Sequence, residues 1–229
     1  MRWHRHKHRK RKKRFYFDGC SYTNGGGLEE HGYDQIKDRW SALVCKHFGA
    51  EEYNFSCGGA SNDCVLRHFF TGQVFQEKRS NVEDIRFDLN DFDFFFIQTT
   101  FPSRSEYFSD MKRRWQKMTV NRSSKPQYRE KNLRLQEWLD YYYKELYSET
   151  QGKVKEIVAV KSIESHLKLL NKPYFLSTII EDPVMTYDLE INKRNHKGKF
   201  LKYDRMSCEH PSRAGQRQIA DDIIKKIKI

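Results

Sequence analysis

Three polar groups in this 229-residue chain stand where backbone pattern and chemistry meet: a serine, a glycine pair and a histidine. The apolar run Phe15-Tyr16-Phe17 stops at Asp18-Gly19-Cys20-Ser21-Tyr22-Thr23 and then a loop of three glycines, Gly25-Gly26-Gly27, so a strand delivers Ser21 to a turn. Asn54-Phe55-Ser56-Cys57-Gly58-Gly59-Ala60-Ser61-Asn62 repeats the plan of strand, glycine turn and helix start. Far downstream, Cys208-Glu209-His210-Pro211-Ser212 leads into the last helical stretch. Cleaving an ester needs a hydroxyl nucleophile, a base within hydrogen-bond reach, and N–H donors aimed at the developing oxyanion. Ser21 can supply the first and His210 the second. The backbone N–H groups of Ser21 and Gly59 can supply the third, because a glycine lets a substrate oxygen approach the main chain.

The elements that must position these groups are legible in outline. Phe15–Phe17 reads as a first strand, and Ile36, Trp40, Leu43, Val44 and Phe48 have the spacing of one helix face, with Gly49 placed to cap it. Tyr53–Ser56 reads as a second strand, and Ser61-Asn62-Asp63 starts a helix carrying Val65, Leu66, Phe69 and Phe70. Phe92 to Ile97 is apolar at nearly every residue, as expected of a central parallel strand covered on both faces, and it runs into Gln98-Thr99-Thr100. Helices are expected from about Glu130 to Tyr147 and from Lys153 to Leu170, a strand over Pro173–Ile180, and a final helix from about Ser212 to Lys226. The aromatic residues of the first of these helices, Trp138 and Tyr141 among them, read as core and interface. Strands alternating with helices predict an α/β fold, a doubly wound and mostly parallel sheet flanked by helices. In such a sheet, ligands gather beyond the carboxyl ends of the strands, where all these turns converge.

Charge and cysteine content narrow the partners. The net charge is +12, yet nine of the 43 Lys and Arg lie within residues 1–14, which hold no acid. The remaining 34 face 31 acids, so the body stands at +3 and the basic character belongs to the arm. Residues 2–14 suit non-specific contact with nucleic acid or another polyanion, or serve as a solubilising leader. The expected division is therefore a disordered polybasic arm over 1–14 and a single domain over 15–229. Five cysteines without a CxxC pair argue against a zinc site or disulfide framework and for a reducing compartment. No apolar stretch approaches the roughly 20 residues needed to span a bilayer, so a soluble, cytoplasmic protein is expected. The chemistry outlined above requires neither metal nor organic cofactor.

Gly19-Cys20-Ser21-Tyr22-Thr23 resembles the Gly-Asp-Ser-x-Thr opening block of SGNH/GDSL hydrolases, with cysteine in place of aspartate. Asn54 to Ser61 is similar to the second block, whose oxyanion-hole glycine matches Gly59, and His210-Pro211-Ser212 is similar to the block that carries the histidine. The order and separation of the blocks match across about 15–229. The resemblance implies a flavodoxin-like three-layer architecture and a serine esterase acting on an acylated small molecule or a glycan, including cell-envelope glycans. Ser21 and His210 would be catalytic, with Ser21, Gly59 and Thr100 around the oxyanion. Two positions depart from the pattern. Thr100 stands where the third block has asparagine, a loss that typically costs about 10² to 10³ in rate unless Gln98 or Asn62 substitutes. Ser207 stands three before His210, where the family has aspartate. Glu209 or Asp204 is then left to orient the imidazole, or a Ser-His dyad works against a backbone carbonyl, which we favour. Thr100 to Glu106 also resembles a Thr-x-x-x-Arg-x-Glu stretch of bacteriophage SGNH-like proteins. Arg104 in it would hold a substrate anion or pair with Glu106, and a phage origin would place the protein in the host cytoplasm or the virion. The rival implication is a catalytically impaired virion or assembly protein of the same fold, whose arm binds nucleic acid.

Overall fold

Phenylalanine and tyrosine crowd the short apolar runs of this chain, and bulky flat side chains on alternate faces of a strand need cover on both sides. The computed structural model describes residues 11–78, 81–110, 114–119, 133–180, 185–191 and 203–228. Its elements in order are β1 (Arg14–Asp18), α1 (Ser21–Asn24), α2 (Gln35–Asp38), α3 (Trp40–Phe48), β2 (Glu51–Asn54), α4 (Asn62–Thr71), β3 (Gln73–Lys78), β4 (Asn81–Arg86), β5 (Phe94–Thr99), β6 (Ser105–Ser109), β7 (Arg114–Met118), α5 (Leu133–Tyr141), α6 (Glu149–Leu169), β8 (Tyr174–Thr178), β9 (Leu189–Glu190) and α7 (Arg213–Lys226). Five strands form one sheet in the order β2-β1-β5-β8-β9, and every pairing in it is parallel.

The register explains the burial. Phe15, Phe17, Phe94 and Phe96 face one way and pack with Trp40 and Val44 of α3 and Ile219 and Ile223 of α7. Tyr16, Phe95 and Ile97 face the other way, onto Val65 and Phe69 of α4 and Val160, Ile163 and Leu167 of α6. Phe17 and Phe96 stack with centroids 4.5 Å apart and planes 6° from parallel. The sheet is thus the middle of three layers, and every residue of β5 is buried. This is the parallel α/β sandwich that the alternation of elements predicts.

Several local expectations change. The predicted helix from Ile36 to Phe48 is broken at Arg39, which is extended (φ −70°, ψ 148°). The Arg39 guanidinium makes two 2.9 Å hydrogen bonds to Glu52, and the next backbone N–H, that of Trp40, donates to Gln216 Oε1 at 2.9 Å. These partners outweigh one more helical turn, and Ile36 is left 64% exposed. Two antiparallel hairpins, β3–β4 and β6–β7, were not expected and stand outside the main sheet. The aromatic stretch divides: Trp138 is 42% and Tyr141 56% exposed, at the surface, whereas Tyr142, Tyr143 and Tyr147 are half-buried and Leu139 is the apolar side chain that α5 buries. Of the arm, residues 1–10 lie outside the described residues. Arg11 donates to the Asp93 carboxylate at 3.0 and 3.2 Å, and Arg14 opens β1. Among the described residues no helix is long and apolar enough to cross a membrane, and no group of three or more His, Cys, Asp and Glu could hold a metal ion.

Candidate active site

β1 ends at Asp18, and the chain turns through Gly19 and Cys20 into the single turn of α1, of which Ser21 is the first residue. The turn is pinned from below and from the side. Thr23 Oγ1 donates to Gln98 Oε1 at 2.8 Å, Asn54 Nδ2 donates to the Thr23 carbonyl at 3.2 Å, and Trp40 Nε1 donates to the Tyr22 carbonyl at 3.1 Å. Ser21 keeps a partly exposed side chain above these contacts.

His210 arrives from the other end of the chain. Residues 204–212 fold back on themselves: Met206 N–H donates to the His210 carbonyl at 2.9 Å and Ser212 N–H to the Asp204 carbonyl at 3.0 Å. Ser212 caps α7 by accepting from Gly215 N–H at 3.1 Å. The result is a 2.9 Å hydrogen bond between Ser21 Oγ and His210 Nε2, across 189 residues of sequence. Burial, reinforced by the charges of Arg104 and Arg205, holds the imidazole below its ordinary pKa, against smaller opposing effects of the Cys208 carbonyl and Glu30. A neutral ring accepts the serine proton at Nε2 and carries its own proton on Nδ1. No carboxylate among the described residues reaches the buried Nδ1; the Cys208 carbonyl is the group that acts on the ring, favouring its protonated form.

Three residues to which the sequence alone gave no role, Gly26, Gly27 and Tyr22, shape this contact. A Cβ on Gly26 would stand 2.9 Å from Ser21 Cβ and 3.4 Å from His210 Cδ2, and one on Gly27 would stand 2.8 Å from Cys208 Sγ. The glycine loop therefore works by absence of side chains, and only in the fold does that become visible. Tyr22 is the other support: its ring lies 5.1 Å from that of His210, and its hydroxyl donates to the Glu209 carbonyl at 3.4 Å.

The remaining candidates fall into different places. Gly59 has φ +74°, a conformation that favours glycine, and no backbone acceptor for its N–H is present among the described residues. Asn62 does not face a substrate: its Oδ1 accepts from Thr100 N–H at 2.9 Å and its Nδ2 donates to the Thr100 carbonyl at 3.3 Å. That exchange ties the start of α4 to the end of β5 and removes the Thr100 N–H as an oxyanion donor. Thr100 is itself fully buried, and its hydroxyl accepts from Arg104 at 2.8 Å. Gln98 is also fully buried and serves as the acceptor beneath Thr23. Neither Asp204 nor Glu209 orients the imidazole. Asp204 Oδ2 accepts from the Ser212 hydroxyl at 2.5 Å, and Glu209 sits at φ +65° on the outside of the turn. Nor does Arg104 pair with Glu106, which takes a two-point bond from Arg67 at 2.7 and 3.1 Å. Arg104 instead lies over the Phe101 ring at 4.8 Å.

No family model matches the sequence, and no curated protein matches it significantly. Solved structures do match. One is of a protein assigned to the lipolytic G-D-S-L family from Desulfitobacterium hafniense DCB-2, with TM-score 0.51 and 10% identity, over 94% of this chain and 100% of that one. Another is of an acetyl xylan esterase from the rumen bacterium Butyrivibrio proteoclasticus, with TM-score 0.50 and 11% identity, over 93% of this chain. This chain spans 63% of that esterase. With its parallel five-stranded sheet between two helical layers, the chain has an SGNH-hydrolase-like fold.

Proposed function

We propose that this protein is a serine ester hydrolase in which Ser21 is the nucleophile and His210 the general base. The 2.9 Å contact between Ser21 Oγ and His210 Nε2, made by an imidazole kept neutral by burial, carries the reading. Ser21 Oγ attacks the ester carbonyl carbon while Nε2 takes its proton. The tetrahedral intermediate collapses, the alcohol leaves with the proton from Nε2, and the acyl group stays on Ser21. Water, deprotonated by the same nitrogen, then releases the acid. The N–H groups of Ser21 and Gly59 are the oxyanion donors. The Thr100 amide, bonded to Asn62, cannot join them, and the Arg104 guanidinium stands in by adding positive potential.

The catalytic unit is a dyad. No carboxylate among the described residues holds the Nδ1–H, and the part it plays elsewhere is worth up to about 10⁴ in rate. A slow esterase is therefore expected. For substrate we propose an acylated carbohydrate, a reading supported by the likeness of fold to an acetyl xylan esterase. The test is hydrolysis of short acyl esters and acetylated sugars by wild type and by Ser21→Ala. Loss of at least about 10³ in kcat/KM is expected in the variant; equal rates would remove Ser21 from the mechanism.

A further inference from the structure

Two cations bracket the Gly58-Gly59 turn. Ala60 N–H closes the turn by donating to the Cys57 carbonyl at 3.2 Å, and a basic side chain holds each end of it. Lys117 Nζ donates to the Gly58 carbonyl at 2.8 Å; Arg104 Nη1 donates to the Ala60 carbonyl at 3.5 Å and to Thr100 Oγ1 at 2.8 Å. All three acceptors are neutral. The acids of this corner are engaged elsewhere. Glu106, directly across the β6–β7 hairpin from Lys117, is taken at both oxygens by Arg67, at 2.7 and 3.1 Å, and Asp63 accepts from the Ser105 hydroxyl at 3.0 Å. Among the described residues no carboxylate pairs with Lys117 or Arg104. An ammonium and a guanidinium each have more N–H groups than these bonds use, so both side chains retain donors, Arg104 through Nε and Nη2.

Both cations are held in place by neutral packing. Arg67 of α4 binds Glu106 of β6 and lies over the Trp115 ring of β7 at 4.6 Å, so one side chain fastens both strands of the hairpin that carries Lys117. The Lys117 stem runs along the turn: a Cβ on Gly59 would stand 3.7 Å from Lys117 Cδ. Arg104 rests on the Phe101 ring at 4.8 Å. Side chains fixed in this way lose little freedom when they take up an anion, so more of the attraction appears as affinity.

We propose that Lys117 and Arg104 form an anion subsite beside the Gly59 turn, and that the ester this protein favours is carried by a sugar bearing a carboxylate or a phosphate. A delocalised oxyanion suits the pair: the guanidinium offers two N–H groups to two oxygens, and the ammonium adds a donor from the other end of the turn. The subsite rests on the contacts of the turn and the hairpin; that its ligand is an ester rests on the function proposed above.

Subsite and substrate separate experimentally. Full-length Ser21→Ala, isotope-labelled, should be titrated by NMR with glucuronate, glucose 6-phosphate and glucose. At least one of the anions should bind about fivefold or more tighter than glucose, move the amide signals of Gly58, Gly59 and Ala60, and weaken with added sodium chloride; the tighter anion names the substituent. Adding Lys117→Met, which keeps the stem over Gly59 and removes the charge, should remove most of that preference, and Lys117→Arg should retain it. Equal binding of all three sugars, or shifts confined to the basic residues 1–14, would overturn the subsite. In the active chain, the ratio of kcat/KM on the acetylated anionic sugar to that on acetylated glucose should fall about five- to tenfold in Lys117→Met. An equal loss on both esters would assign the Lys117 charge to the oxyanion and refute an anionic substrate. Failure of the wild type to hydrolyse either ester would remove the esterase reading, and the titration of Ser21→Ala would still decide the subsite.

Discussion

Gly26→Ala isolates the geometry of the dyad from the stability of the fold. Gly26 is not among the positive-φ glycines, so alanine can adopt its backbone conformation. The added Cβ would sit 2.9 Å from Ser21 Cβ, 3.1 Å from the Ser21 carbonyl oxygen and 3.4 Å from His210 Cδ2, where ordinary contact begins at 3.4 Å. Relieving the tightest overlap displaces Ser21 by about 0.5 Å, which stretches the 2.9 Å bond to His210 toward the edge of hydrogen-bond range. Displacements approaching an ångström at reacting groups cost up to about 10²-fold, or about 2.7 kcal/mol of barrier. Stability should change little. Alanine gains about 0.4 to 1 kcal/mol from the unfolded chain and loses a similar amount to the overlap, so Tm should move by no more than about 4 °C. The assay compares kcat/KM on an acetyl ester with thermal unfolding for wild type, Gly26→Ala and Gly58→Ala. Gly58 is the control, because a Cβ there meets nothing within 4 Å and its φ is not positive. Wild-type activity in Gly26→Ala, or an equal loss in Gly58→Ala, would refute the reasoning.

Three other outcomes follow from the same contacts. Because His210 must be neutral to accept a proton and burial lowers its pKa, kcat/KM should rise with pH through a midpoint below the ordinary imidazole value of 6.5; Arg104→Ala, by removing a nearby positive charge, should move that midpoint upward. Asp204→Ala should lower stability by about 1 kcal/mol through the Ser212 cap yet leave kcat/KM within about threefold, whereas a large loss of kcat would restore Asp204 as the orienting group. His68→Ala strands the buried Asp18 carboxylate and should cost about 3 to 5 kcal/mol in urea unfolding. For His68 burial lowers the pKa, but Asp18 overcomes it and the net shift is upward. The folded state therefore binds the proton more tightly. The stabilisation is complete below 6.5 and fades as pH rises through the higher folded value, so wild type and His68→Ala should converge in alkali; a gap that widens there would contradict the ion pair.

Sequence alone determined the layers of this protein and the identities of the residues that meet. A run such as Phe94-Phe95-Phe96 has one stable home, a central strand covered on both faces, and Gly58-Gly59 followed by Ser61 has the form of a turn into a capped helix. Ser21 and His210 were visible because each stands beside such an element. The tertiary structure decided what each polar group does, because a hydrogen bond between residues far apart in the chain leaves no periodic trace. Arg39 gives up a helical turn for Glu52, Asn62 saturates the Thr100 backbone, and Asp204 turns to Ser212 instead of to His210. Three consecutive glycines read in sequence only as a loop. Packed against Ser21 and His210, Gly26 and Gly27 are the space that lets two side chains 189 residues apart approach to 2.9 Å, and only close packing could assign them that role.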